Sequence, residues 1–184
     1  MADLPKGRIF FLSGAPGVGK SSTAAALSAR FEKAFRIDLD YFRQYVVSGI
    51  VHPGRGDDEE CHRQFCLAHE AAGKCARIYS DAGFTVIVEH CSFPDTVERF
   101  VREAGPSTVV CLRCALETNL GRNLLRTNKS FDPKDIEHFV HELNGAIWPT
   151  FAERGWNVLE NDSYEIEDTV NQILRIGKTV TVID

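Results

Sequence analysis

A chain of 184 residues, 43% hydrophobic and 26% charged, has the composition of an ordinary globular protein and length enough for one packed core. Its net charge of −5 excludes a global attraction to nucleic acid or an anionic membrane, so only a local basic groove would serve such a role. No apolar run approaches the length of a membrane span, and the opening MADLPKGR lacks the basic-plus-apolar pattern of a secretion signal, so a cytoplasmic location is expected.

Short apolar runs alternate with helical patterns, without repeats, low-complexity segments or an evident linker. The expected strands are Ile9–Ser13, Ala34–Asp38, Thr85–Glu89, Thr108–Arg113 and Asn157–Glu160. Strands alternating with helices predict an α/β fold with a parallel sheet and helices on both faces. In such a sheet ligands bind at the C-terminal ends of the strands.

Behind the first strand, Gly14-Ala15-Pro16-Gly17-Val18-Gly19-Lys20-Ser21 matches G-x-x-x-x-G-K-[ST], the phosphate-binding loop, and Ser22 follows it. Ala24, Ala25, Leu27 and Phe31 then recur at helical spacing, so the motif sits between a strand and a helix as its chemistry requires. Glycines let successive backbone N–H groups converge on phosphate oxygens, and the helix N-terminus adds partial positive charge. Lys20 is expected to reach the β- and γ-phosphates, and the Ser21 hydroxyl to ligate Mg²⁺.

The second strand runs into Asp38-Leu39-Asp40-Tyr41-Phe42-Arg43. Asp40 is in the place where a carboxylate takes the proton of an acceptor hydroxyl, and Arg43, one helical turn on, would orient the acceptor or pair with an acid. Asp38 is a further Mg²⁺ candidate; both acids also fit a helix N-cap. A loop at His52–Gly56 and the acids Asp57–Glu60 precede a helix striped by Phe65, Ala68, Ala72, Cys75 and Tyr79. The mixed charges across residues 41–80 mark an acceptor region without a clear polyanion groove.

The third strand ends in Glu89-His90. Glu89 is in the position of a carboxylate that holds Mg²⁺ through water, or of a partner to a buried cation; His90 reads as a polar crevice residue. A helix follows over Val97, Phe100, Val101 and Ala104, stopped by Gly105-Pro106. After the fourth strand, Arg122 and Arg126 share a helix face ahead of the polar Thr127–Ser130, a pattern suited to a lid over residues 116–135 that neutralises charge on a transferred phosphoryl. Asn128-Lys129 is not followed by the Asp of the guanine-reading N-K-x-D, which argues against a GTPase. Asp132-Pro133 reads as the cap of a helix carrying Ile136, Phe139, Val140 and Leu143, and Ile166, Val170, Ile173 and Leu174 mark a last helix. The tail Thr179–Asp184 alternates like an edge strand.

Six cysteines, Cys61, Cys66, Cys75, Cys91, Cys111 and Cys114, are expected reduced. Cys111-x-x-Cys114 has no second pair, so it reads as two packed thiols and not as a zinc or redox site.

The GxPGxGKS loop, the D-x-D-x-F-R run after strand two and R-N-x-x-R ahead of a polar loop resemble the small P-loop kinases of the nucleoside-monophosphate-kinase type. Closest in pattern are polynucleotide 5′-hydroxyl kinases, zeta-toxin-type kinases and chloramphenicol-phosphotransferase-like enzymes. The resemblance implies a three-layer fold with strand order 2-3-1-4-5 in a single kinase domain, and ATP and Mg²⁺ as cofactors. It further implies Asp40 as general base, Arg43 at the acceptor, Arg126 at the ATP phosphates, and Asn161-Asp162-Ser163 beside adenine. Glu89-His90 replaces the Asp-Thr-Asn-like run of the polynucleotide kinases. A small hydroxylated acceptor is therefore expected in preference to a nucleic-acid end, with a nucleotide-binding regulatory module as the further alternative.

Overall fold

The computed structural model describes residues 7–54, 56–125, 136–162 and 165–179. Five strands, β1 (Ile9–Ser13), β2 (Ala34–Asp38), β3 (Thr85–Glu89), β4 (Thr108–Arg113) and β5 (Asn157–Glu160), pair in parallel in the order β2-β3-β1-β4-β5. This is the P-loop NTPase arrangement, with strand bounds as the apolar runs predict. The strands are legible because β1 and β3 are buried along their whole length, so each is apolar on both faces.

Seven helices cover the sheet among the described residues: α1 (Lys20–Ser28), α2 (Leu39–Gln44), α3 (Asp58–Asp81), α4 (Pro94–Ala104), α5 (Leu116–Leu124), α6 (Glu137–Glu153) and α7 (Ile166–Thr179). Alternate side chains of the strands sort them into two layers. Phe11, Val88 and Cys111 face a core shared with Ala72 of α3, Phe100 of α4 and Phe151 of α6. Phe10, Leu12 and Ile87 point the other way, onto Leu27 of α1 and Ile173 of α7. Each fully buried side chain of this size contributes roughly 1.5–3 kcal/mol.

Two local features set where the chemistry falls. Asp57 caps α3 by accepting from the Glu60 amide at 3.0 Å, and Asp58, Glu59 and Glu60 occupy its positively polarised first turn. Farther along, Gly73 lets α3 sit close against α4, where a Cβ would come within 2.6 Å of the Phe100 carbonyl oxygen. That close approach brings Phe65 and His69 of α3 over the C-terminal end of β3. The helix expected after Asp132-Pro133 is seen from Ile136 onward; Asp132 and Pro133, like Arg126 and residues 127–131, lie outside the described residues. α7 runs through Thr179, and the remainder of the expected edge strand lies outside the described residues too. Among the described residues no helix is long and apolar enough to cross a membrane.

Candidate active site

A cleft of ≈ 1130 Å³ opens where β2, β3 and β5 end. Pro16, Gly17, Gly19, Lys20, Ser21 and Ser22 line it, while Gly14, Ala15 and Val18 are buried beneath. Gly17 has φ +88, and a Cβ there would lie 2.7 Å from Asn119 Oδ1 of α5, so both backbone conformation and space call for glycine. Asn119 is fully buried and its amide atoms have no hydrogen-bond partner. Lys20 Nζ bends back over the loop, donating to the carbonyls of Gly14 at 2.8 Å and Ala15 at 2.9 Å.

The acids after β2 divide their work. Asp38 caps α2, its Oδ1 accepting from the Asp40 amide at 3.0 Å. Asp40 therefore sits in the first turn of a short helix, its side chain 55% exposed in the cleft. Its Oδ1 lies 3.4 Å from His90 Nε2. Arg43, on the same helix, is buried: it stacks 3.8 Å above the Phe65 ring and donates to the Val51 carbonyl, while its Nε has no hydrogen-bond partner. Glu89 pairs with Asp38 across the β3–β2 register, yet its Oε1 accepts from both Nε and Nη2 of Arg36. All three Mg²⁺ candidates, Ser21, Asp38 and Glu89, line the cleft, and Asp38 and Glu89 each have a carboxylate oxygen held by protein donors.

Arg122 of α5 closes the cleft from the other side. It donates to Val18 O at 3.4 Å, Asn161 Oδ1 at 3.3 Å, Asn161 O at 2.9 Å and Asp162 O at 3.4 Å. Asn161 Nδ2 also reaches Val18 O at 2.9 Å, and Asp162 accepts from the Ala115 amide at 2.8 Å. The loop after β5 is thereby tied to the phosphate-binding loop, with Arg122 as the tie. Arg126 and Ser163 lie outside the described residues. Arg122→Ala is expected to release that loop and raise the KM for ATP about tenfold, about 1.4 kcal/mol, with little change in melting temperature; steady-state kinetics against ATP checks it.

Ser13, Ser92 and His69, absent from the sequence reading, join the expected crevice residue His90 in the site. Ser13, the last residue of β1, donates to Ser92 O at 2.8 Å and accepts from Ser92 N at 3.2 Å. Ser92 Oγ then stands between two histidines, 2.7 Å from His90 Nδ1 and 2.8 Å from His69 Nε2. His69 Nδ1 meets the Phe65 carbonyl at 2.7 Å. The sequence carries one signal for this: His69 falls on the apolar stripe of α3, between Ala68 and Ala72, so it is a polar side chain on a buried face.

Burial, with the nearby His90 and His62 adding to it against the bond to Phe65, pushes His69 down to about 3. The folded protein therefore holds a neutral ring, whereas an unfolded chain protonates near pH ~6.5. Between those values the unfolded state binds a proton that the folded state does not. Stability then falls as the pH falls through that window, by up to about 1.4 kcal/mol per pH unit. Denaturant midpoints at neutral pH and near pH ~5 should show wild type losing up to about 2 kcal/mol more than His69→Gln.

Burial pushes the Cys111 thiol up to about 12 and the Cys114 thiol up to about 11, so neither is a thiolate near neutral pH. All six are free.

Against known proteins, a family model described as AAA domain matches residues 11–142. The chain belongs to that family. The match runs from the middle of β1 into α6 of this AAA domain and so spans the phosphate-binding loop, Asp40, His90 and Arg122. No curated protein matches the sequence significantly. Among solved structures, the tunicamycin resistance protein of Deinococcus radiodurans superposes with a TM-score of 0.61 at 19% identity, covering 92% of this chain and 95% of that one. A sugar kinase from Janibacter sp. HTCC2649 gives 0.67 at 14% identity over 95% and 96%. The APS kinase of Mycobacterium tuberculosis, in complex with AMPPNP and APS, gives 0.68 at 16% identity over 95% and 99%. At these identities the likeness establishes the fold alone.

Proposed function

We propose that this chain is an ATP-dependent kinase that transfers the γ-phosphoryl to a hydroxyl of a small molecule, an antibiotic, sugar or nucleoside-like compound. The observation that carries this reading is the placing of Asp40, on the capped first turn of α2, in the same cleft as Lys20 and Arg122. The phosphate-binding loop and Lys20 would hold the β- and γ-phosphates, and Arg122 the nucleotide side of the cleft. Asp40 would take the proton of the acceptor hydroxyl as its oxygen attacks phosphorus. Arg43, with its unpartnered Nε, and the Phe65 face would position the acceptor. Structural neighbours that are a sugar kinase and an APS kinase support the same reaction class.

A nucleotide of this kind brings Mg²⁺, and the donor chemistry fits a hard cation that keeps much of its water. Ser21 offers a hydroxyl in the first turn of α1, beside Lys20 on the cleft wall. The ion would neutralise charge on the phosphates.

Charge favours a small acceptor over a nucleic-acid end. Among the described residues that line the cleft, Asp38, Asp40, Glu89, Asp95 and Glu142 are acidic, against Lys20, Arg43 and Arg122. Binding a polynucleotide needs several free Lys or Arg side chains for phosphates. The test is ADP release across a panel of hydroxylated antibiotics, sugars and nucleosides, with a 5′-hydroxyl oligonucleotide alongside. At least one small compound should accelerate release; acceleration by the oligonucleotide alone would reassign the acceptor.

A further inference from the structure

The cleft wall on the side of α3, α4 and α6 is apolar and largely aromatic. Pro53 ahead of α3, Phe65 of α3, Phe93 at the head of α4, and Phe139 and Leu143 of α6 line it. The three helices share one core on one face of the sheet. Their side chains at the cleft are not closed on one another. Phe93 is 39% exposed, and Phe65, Phe139 and Leu143 are half-buried.

The polar groups of this wall are mostly engaged by the protein itself. Both ring nitrogens of His69 are bonded, to the Phe65 carbonyl at 2.7 Å and to Ser92 Oγ at 2.8 Å. Thr96 Oγ1 donates to the Phe93 carbonyl at 2.9 Å. His62 Nε2 lies 3.5 Å from Asp95 Oδ2, joining α3 to α4. Arg43 differs. It is 9% exposed, its guanidinium covers the Phe65 ring and its Nη2 donates to the Val51 carbonyl, yet its Nε has no hydrogen-bond partner. A buried N–H left unpaired is costly, so this atom marks a place for a ligand oxygen.

Charge selects the kind of oxygen. Carboxylates outnumber cations around the cleft, and Lys20 and Arg122 already bond the phosphate-binding loop. An anionic acceptor would add negative charge near Asp40, Asp95 and Glu142 and be repelled. A bare sugar or polyol needs partners for most of its hydroxyls, which a wall of this make does not supply. Pockets with apolar walls and few polar groups take apolar bodies and orient them by those few groups.

We propose that the acceptor is an uncharged alcohol carrying an aromatic ring and a second oxygen. The ring packs on the aromatic wall, the second oxygen accepts from Arg43 Nε, and the hydroxyl faces Asp40. This rests on the reading of the cleft as a kinase site, and it narrows the acceptor by setting aside bare sugars, sugar phosphates and nucleotides.

Binding and turnover test it separately, with a matched set of compounds. Phenyl ethylene glycol has ring, hydroxyl and second oxygen; phenethyl alcohol lacks the second oxygen; mandelate carries a carboxylate there; erythritol lacks the ring. Affinities come from NMR titration of protein loaded with a non-hydrolysable ATP analogue. Phenyl ethylene glycol should bind about tenfold more tightly than erythritol or mandelate. Arg43→Met should weaken phenyl ethylene glycol about fivefold and leave phenethyl alcohol within about twofold, since only the first offers an oxygen to Nε. Phe93→Ala should weaken both aryl alcohols about fivefold. Erythritol or mandelate binding as tightly as phenyl ethylene glycol overturns the proposal, and equal weakening of both aryl alcohols by Arg43→Met overturns the Arg43 contact. Turnover is read as ADP release. Acceleration by erythritol and not by phenyl ethylene glycol overturns the acceptor class and leaves the kinase reading standing. Binding in the expected order with no ADP release from any compound supports the pocket and overturns the kinase reading beneath it.

Discussion

Asp40→Asn should lower kcat by at least about 100-fold while the affinity for ATP stays within about twofold. The amide keeps the size of the side chain and leaves the capping bond between Asp38 Oδ1 and the residue-40 amide in place, so α2 should not unwind. What it removes is the ability to take a proton. Transfer through a base of this kind contributes about 10²–10⁴-fold, which sets the scale of the loss. Isothermal titration with a non-hydrolysable ATP analogue, beside steady-state rates, separates binding from chemistry. A variant that binds and turns over like wild type would remove Asp40 from the reaction.

Lys20→Ala should act differently, by weakening nucleotide binding and lowering the rate together. Lys20 Nζ bonds the carbonyls of Gly14 and Ala15, within reach of any phosphate the loop holds. Losing one preorganised cation at a developing charge costs about 10²–10³-fold in kcat, and the ground-state contact to phosphate goes with it. Lys20→Arg should restore little, because a planar guanidinium does not fit the place of a compact ammonium. The fold should survive all of these changes, since the bonds lost are to the loop itself.

The sheet was legible because its strands are buried on two faces and so read as unbroken apolar runs; β1 and β3 are the clearest cases. The phosphate-binding loop was legible because every part of it lies within a few residues. Asp40 was placed by its distance from a strand end. The hydrogen-bond network behind it was not legible, because its members come together from far apart in the chain. Ser13 meets Ser92 from a separation of 79 residues, and His69 meets Ser92 from 23. Arg36 was overlooked as the partner of Glu89 because it lies in the middle of β2 and Glu89 at the end of β3, and only the folded sheet sets their register. Arg122 was read as part of a lid; its bonds to Val18, Asn161 and Asp162, which also tie two loops together, could not be read from the local pattern.

The reading of the cleft as a phosphoryl-transfer site has one direct measurement. Purified protein is given ATP labelled at the γ-phosphoryl together with the small hydroxylated compound that most accelerates ADP release, and the label is followed. The account predicts that label appears on the compound in step with ADP, and that Asp40→Asn and Lys20→Ala both stop it. Tight ATP binding with no label reaching any compound or oligonucleotide in the panel would contradict it, and would mark the chain as a nucleotide-binding module that does not transfer.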